Sequence, residues 1–137
     1  MTDQQTQAYP CLFYRDAPAA MAWLTRAFGF KETMVVRGDD GSVVHAEMAL
    51  GDVVIMPGSA RDSEGWKSPR DLGGATQSVY IYVADPKKHY EHAKAAGAEI
   101  TRPYEEKDYG GGGYSARDPE GHDWSFGSYR PTTGDAT

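Results

Sequence analysis

Two halves of the 137-residue chain carry the same order of signals: an alternating strand, a capped amphipathic helix, then three strands parted by turn residues. Few folds accept that order twice. In the first half "YPCLFY" alternates and is rich in aromatics, Asp16 stands where an N-cap belongs, and Ala20, Met21, Leu24, Ala27 and Phe28 recur at helical spacing before Gly29. "ETMVV" and "SVVHAEMAL" flank Asp40-Gly41, a hairpin signal, and "GDVVIM" follows a second turn at Gly51-Asp52. In the second half "QSVYIYV" alternates, Asp85-Pro86 pairs an N-cap with proline at the first helical position, and "KKHYEHAKAAGA" follows. "AEITRPY", "YSARD" and "HDWSFGSY" supply three more strands. Gly110 to Gly113 reads as a mobile hairpin loop, and "DPEG" reads as a type I turn with Pro119 at its second position.

These signals predict an α+β chain of one domain, residues 1–137, with helices from Asp16 to Phe28 and Asp85 to Ala96. Its two βαβββ modules, about 8–58 and 76–130, form a cupped mixed sheet. The segment 59–75, rich in Gly, Ser, Pro and charge, reads as a linker or lid, and Trp66 is unusual within it.

Composition removes several function classes. A net charge of -6 with mixed signs gives no basic stripe for phosphate backbones, which argues against nucleic acid as a partner. No apolar run reaches membrane-spanning length, and the polar start "MTDQQTQ" does not read as a signal peptide, so no membrane association and a cytoplasmic location are expected. The single cysteine, Cys11, lies in an apolar run and is expected as a buried structural thiol.

The sequence resembles the vicinal oxygen chelate superfamily, also called the glyoxalase, bleomycin resistance and dioxygenase group. The resemblance rests on "RDAPAAMAWLTRAFGF", "HAEMALGDVVIM", "VYIYVADPKKHYEHAKAAGAEI" and "YSARDPEGHDWSFG", and spans about Tyr9 to Tyr129. It implies that helices cover the outer faces of the sheets and that ligands bind in the cup.

Alternation then assigns the cup. Ser78, Tyr80 and Tyr82 face inward while Val79, Ile81 and Val83 pack under the helices. Tyr9, Cys11 and Phe13 also face inward, as does Ser125, with Trp124 and Phe126 in the core. Val44, Ala46, Met48 and Leu50 are expected outward, and Val43, His45 and Glu47 inward. The resemblance implies metal ligands near the starts of the module-opening strands and on the module-closing strands. The matching positions hold Tyr9, Ile55, Ser78 and Ser125, a poor set for a divalent metal. No metal and no cofactor are therefore expected.

His45 and Glu47 form a candidate acid/base pair, a carboxylate beside an imidazole. His89 and His92 read as a solvated helix face, and His122 as a structural hydrogen-bonding residue. Trp66, Tyr109 and Tyr114 lie in or beside loops, where aromatics contact ligands or partners. The expected function is a metal-free protein resembling bleomycin resistance proteins. It would bind a planar or aromatic small molecule through Tyr9, Phe13, Trp66, Ser78, Tyr80, Tyr82, Tyr114 and Ser125, as a homodimer. The alternative is a glyoxalase-like lyase or isomerase, or a dioxygenase-type enzyme, acting on a small oxygenated substrate.

Overall fold

A computed structural model describes residues 6–108 and 110–134. The first half contains β1 (Cys11–Tyr14), α1 (Ala17–Phe28), β2 (Lys31–Arg37), β3 (Val43–Leu50) and β4 (Val53–Ser59). A 3-10 turn (Asp62–Glu64) and the short α2 (Pro69–Leu72) follow. The second half contains β5 (Ser78–Tyr82), α3 (Pro86–Ala95), β6 (Glu99–Glu106), β7 (Gly112–Arg117) and β8 (Asp123–Gly127).

The helix starts follow their caps. Asp16 accepts from the Ala19 N–H at 3.1 Å and Asp85 from the Lys88 N–H at 3.1 Å, each satisfying a donor that the first helical turn leaves open. Gly29 closes α1 at a φ of 91°, a conformation that costs other residues a Cβ clash.

Each half forms a four-stranded mixed sheet, in the orders β1-β4-β3-β2 and β5-β8-β7-β6. The opening strand of each half runs parallel to its closing strand and the rest pair antiparallel. Both sheets turn their apolar faces to the helices and share one core. Phe28 at the end of α1 packs on Trp124 and Phe126 of β8, with ring centroids 5.5 and 4.7 Å apart. No helix among the described residues is long and apolar enough to cross a membrane.

The structure corrects several expectations. Val43 is 1% exposed and Val44 46%, the reverse of the expected facing. The β2–β3 ladder skips a residue there, Val36 pairing with His45 and Arg37 with Val43, so the alternation changes phase. Cys11 is exposed because it shares the open face of β1 with Phe13 while Leu12 and Tyr14 enter the core. The glycine run is not all loop. Gly112 and Gly113 belong to β7, where a Cβ on Gly112 would stand 2.6 Å from both Tyr104 Oη and the Glu105 carbonyl. Tyr109 lies outside the described residues.

His89 is not solvated. Its Nε2–H donates to the Phe28 carbonyl at 2.9 Å, which leaves Nδ1 to accept from Tyr114 Oη at 2.6 Å. His92 Nε2–H donates to the Arg26 carbonyl at 2.9 Å. The three-residue spacing thus serves the open carbonyls at the C-terminus of α1. Burial holds the His89 imidazole below its ordinary pKa, against the raising effect of the Phe28 carbonyl.

Candidate functional site

The strand faces turned away from the helices form the candidate site. In the second sheet the register sets three rows across that face: Ser78, Asp123, Arg117 and Glu99; Tyr80, Ser125, Ser115 and Arg102; Tyr82, Gly127, Gly113 and Glu105. Tyr80 and Tyr82 are each 41% exposed. Tyr80 leans over Gly127, where a Cβ would stand 2.8 Å from its hydroxyl, and donates to the Tyr129 carbonyl at 2.6 Å. The Arg130 guanidinium lies 5.0 Å above the Tyr82 ring, a cation–π contact that no local sequence signal announces. Ser125 and Ser115 share a hydroxyl hydrogen bond of 2.7 Å, and Ser78 borders a cleft of about 740 Å³ with Arg70, Thr76, Arg117 and Asp123.

In the first sheet Phe13 stacks on Trp66, with centroids 5.0 Å apart and planes 16° from parallel. Trp66 is nonetheless 51% exposed, so one face of its indole covers Phe13 and much of the rest meets solvent. Cys11, Phe13, Trp66, Leu72, Gln77 and His122 line a cavity of about 230 Å³. Trp66 and Leu72, large apolar residues in a polar segment, were the available sign that this segment borders the cavity. His45 Nε2 and Glu47 Oε2 stand 2.8 Å apart, half-buried on one strand face as alternation predicts. Tyr9 is exposed and donates to the Gln7 side chain at 2.6 Å.

Tyr114 does not belong to this surface. It is fully buried, stacks on Phe126 at 5.4 Å and bonds His89, so its expected role at the mouth of the cup is withdrawn. Its position after the glycine run suggested a loop, but β7 begins at Gly112 and turns Tyr114 into the core. Burial drives its phenol pKa well above the ordinary value. His122 fills the structural role expected of it, its Nε2–H donating to the Phe13 carbonyl at 2.9 Å.

The profile of the glyoxalase/bleomycin resistance protein/dioxygenase superfamily matches residues 6–126. The chain belongs to that superfamily. The chain is 31% identical over 121 residues to the uncharacterized protein Mb0911c of Mycobacterium bovis, covering 86% of this chain and 80% of that one. TioX from Micromonospora sp. ML1 superposes with a TM-score of 0.71 at 29% identity, over 90% of this chain and all of TioX. FosX of Listeria monocytogenes, a fosfomycin resistance protein crystallised in a mutant form with Mn(II) and 1S,2S-dihydroxypropylphosphonic acid, superposes with a TM-score of 0.69 at 12% identity, over 92% of this chain and 94% of FosX. That likeness concerns the fold.

The superfamily's metal-ligand positions can be tested on the geometry. Tyr80 pairs with Ser125 as Cys11 pairs with Met56, so the residue equivalent to Ser125 is Met56. Ile55 is fully buried in the core, which corrects its assignment as the matching position. The two closing strands leave their turns one residue out of step. A phenol, a thioether and two serine hydroxyls are weak first ligands for divalent metals beside imidazole and carboxylate. Among the described residues no three His, Cys, Asp or Glu side chains gather where they could hold a metal ion. The residues present do not fit the superfamily's metal.

Proposed function

We propose that the chain is a metal-free small-molecule-binding protein of the bleomycin resistance type, taking a planar or aromatic ligand on the open sheet faces. The stacked pair Phe13 and Trp66 carries this reading. A half-exposed indole backed by a second ring offers a rigid flat surface beside a cavity, and Leu72 adds an apolar wall. Tyr80 and Tyr82 offer a second pair of exposed aromatic rings on the other sheet, where Ser78 and Ser125 share their face, and Tyr9 is an exposed phenol ahead of β1.

Thermal-shift screening over planar antibiotics and aromatic metabolites, followed by titration of any hit, tests the proposal. An aromatic contact contributes about 0.5–1.5 kcal/mol beyond area burial, so Trp66→Ala is expected to weaken binding several-fold. A ligand indifferent to Trp66→Ala, Tyr80→Ala and Tyr82→Ala would rule out the assigned faces.

The open faces also favour a homodimer. Met34, Val36 and Val44 are exposed apolar residues on β2 and β3, and β2 is an unpaired edge within its sheet. Light scattering is expected to give twice 15.0 kDa.

One observation favours a second reading. The His45–Glu47 contact of 2.8 Å is a carboxylate-oriented imidazole on the open face, suited to moving a proton on a small oxygenated substrate. If the protein is instead a lyase or isomerase, His45→Ala and Glu47→Ala each abolish turnover while leaving ligand affinity nearly unchanged.

A further inference from the structure

The turn from Asp118 to Gly121, which the sequence offers only as a hairpin corner, is built around two carboxylates, 3% and 4% exposed. Asp118 accepts from Tyr14 Oη, Trp124 Nε1 and the backbone N–H groups of Glu120 and His122. Glu120 reaches out of its own half. Its Oε1 accepts the Arg15 N–H at 2.6 Å and the Ser68 Oγ–H at 2.6 Å, and its Oε2 accepts the Asp16 N–H at 2.8 Å.

Three parts of the chain therefore meet on one side chain: the entry to α1, the connecting segment, and the turn before β8. A carboxylate suits three donors because it has only acceptors, whereas a carboxamide would turn an N–H toward one of them. The N-terminus of α1 favours negative charge at the same place. With all three donors supplied, the buried charge is compensated.

Ser68 is the link to the candidate site. It is fully buried, it caps α2, and it stands two residues beyond Trp66. On the other side of Trp66, Arg61 and Trp66 exchange backbone hydrogen bonds of 2.8 and 3.1 Å. The tryptophan is thus held on Phe13 between two anchors, one of which ends on Glu120.

We propose that Glu120 is a positioning residue for the aromatic wall: through Ser68 it fixes the connecting segment that sets Trp66 against Phe13. The significance of that wall rests on the ligand-binding reading, but the bond and its consequence do not, so the test uses no ligand.

The protein is labelled with 5-fluorotryptophan and observed by fluorine NMR, which gives one resonance for each of Trp23, Trp66 and Trp124. Trp66→Phe identifies the Trp66 line, and Phe13→Ala marks its position without the stack. Ser68→Ala and Glu120→Ala, each of which removes the Ser68–Glu120 bond, are expected to shift the Trp66 line to the Phe13→Ala position, while in Ser68→Ala the lines of the core residues Trp23 and Trp124 stay in place. A Trp66 line that keeps its stacked position in Ser68→Ala overturns the proposal. So does a joint shift of all three lines, which would make the carboxylate a general support of the fold. Should Glu120→Ala fail to fold, Ser68→Ala decides the question alone. Loss of ligand sensitivity to Trp66→Ala would instead count against the binding site and leave this coupling standing.

Discussion

Tyr14 Oη donates a 2.6 Å hydrogen bond to Asp118 Oδ2, joining the last residue of β1 to the turn before β8 across 104 positions of sequence. Both residues are buried, and Trp124 Nε1 shares the same carboxylate oxygen at 3.1 Å. Removing the phenol leaves a buried charge short of one donor. Hydrogen bonds to charged groups contribute about 1.5–3 kcal/mol, so Tyr14→Phe is expected to lose that much in urea denaturation. An unchanged midpoint would mean that the remaining donors suffice.

The same phenol predicts alkaline behaviour. Burial, followed by the charge of Asp118, holds the Tyr14 pKa well above its ordinary 10.0, and burial raises that of Tyr114. A raised folded-state pKa contributes stability that is complete below the unfolded value and is lost as pH rises through the folded one. Stability is therefore expected to fall above about pH 10. Absorbance titration at 295 nm should leave at least these two phenols un-ionised until the protein unfolds.

His89 predicts the acid side. Its folded-state pKa lies below the ordinary 6.5, so its contribution is complete above pH 6.5 and declines as pH falls toward the folded value. His92 nearby acts in the same direction. Unfolding free energy is expected to decline as pH falls below 6.5, with a slope no steeper than the roughly 1.4 kcal/mol per pH unit that one proton allows, read as a falling melting temperature. His89→Gln should flatten that slope, and an equal slope in the variant would assign it elsewhere.

Gly112 and Gly110 separate close packing from backbone freedom. A methyl at Gly112 would meet Tyr104 Oη and the Glu105 carbonyl at 2.6 Å, whereas Gly110, at a φ of 94°, has open space around it. Gly112→Ala is expected to cost about 1–3 kcal/mol by overpacking. Gly110→Ala should cost less, within the roughly 1–2 kcal/mol of a left-handed residue. Chemical denaturation of both variants makes the comparison, and the reverse order would contradict the packing of β6 on β7.

Local chemistry determined much of this protein. Asp16 and Asp85 cap helices where a short polar side chain precedes apolar periodicity, and Ser78, Tyr80 and Tyr82 share a face because a strand alternates whatever lies beyond it. The pairing of His45 with Glu47 follows from the same two-residue period. The features that tertiary structure alone decided depend on partners remote in sequence. One skipped residue in the β2–β3 ladder exchanged Val43 and Val44, and closing strands one residue out of step put Met56 where Ile55 was expected. His89 and His92 serve carbonyls 61 and 66 positions away, and Glu120 receives donors 105, 104 and 52 positions away. A periodic pattern records which side of its own backbone a residue occupies. It carries no record of the group that arrives there from another element, and the burial of Tyr114, the stack of Trp66 on Phe13 and the carboxylate of Glu120 all depend on such arrivals.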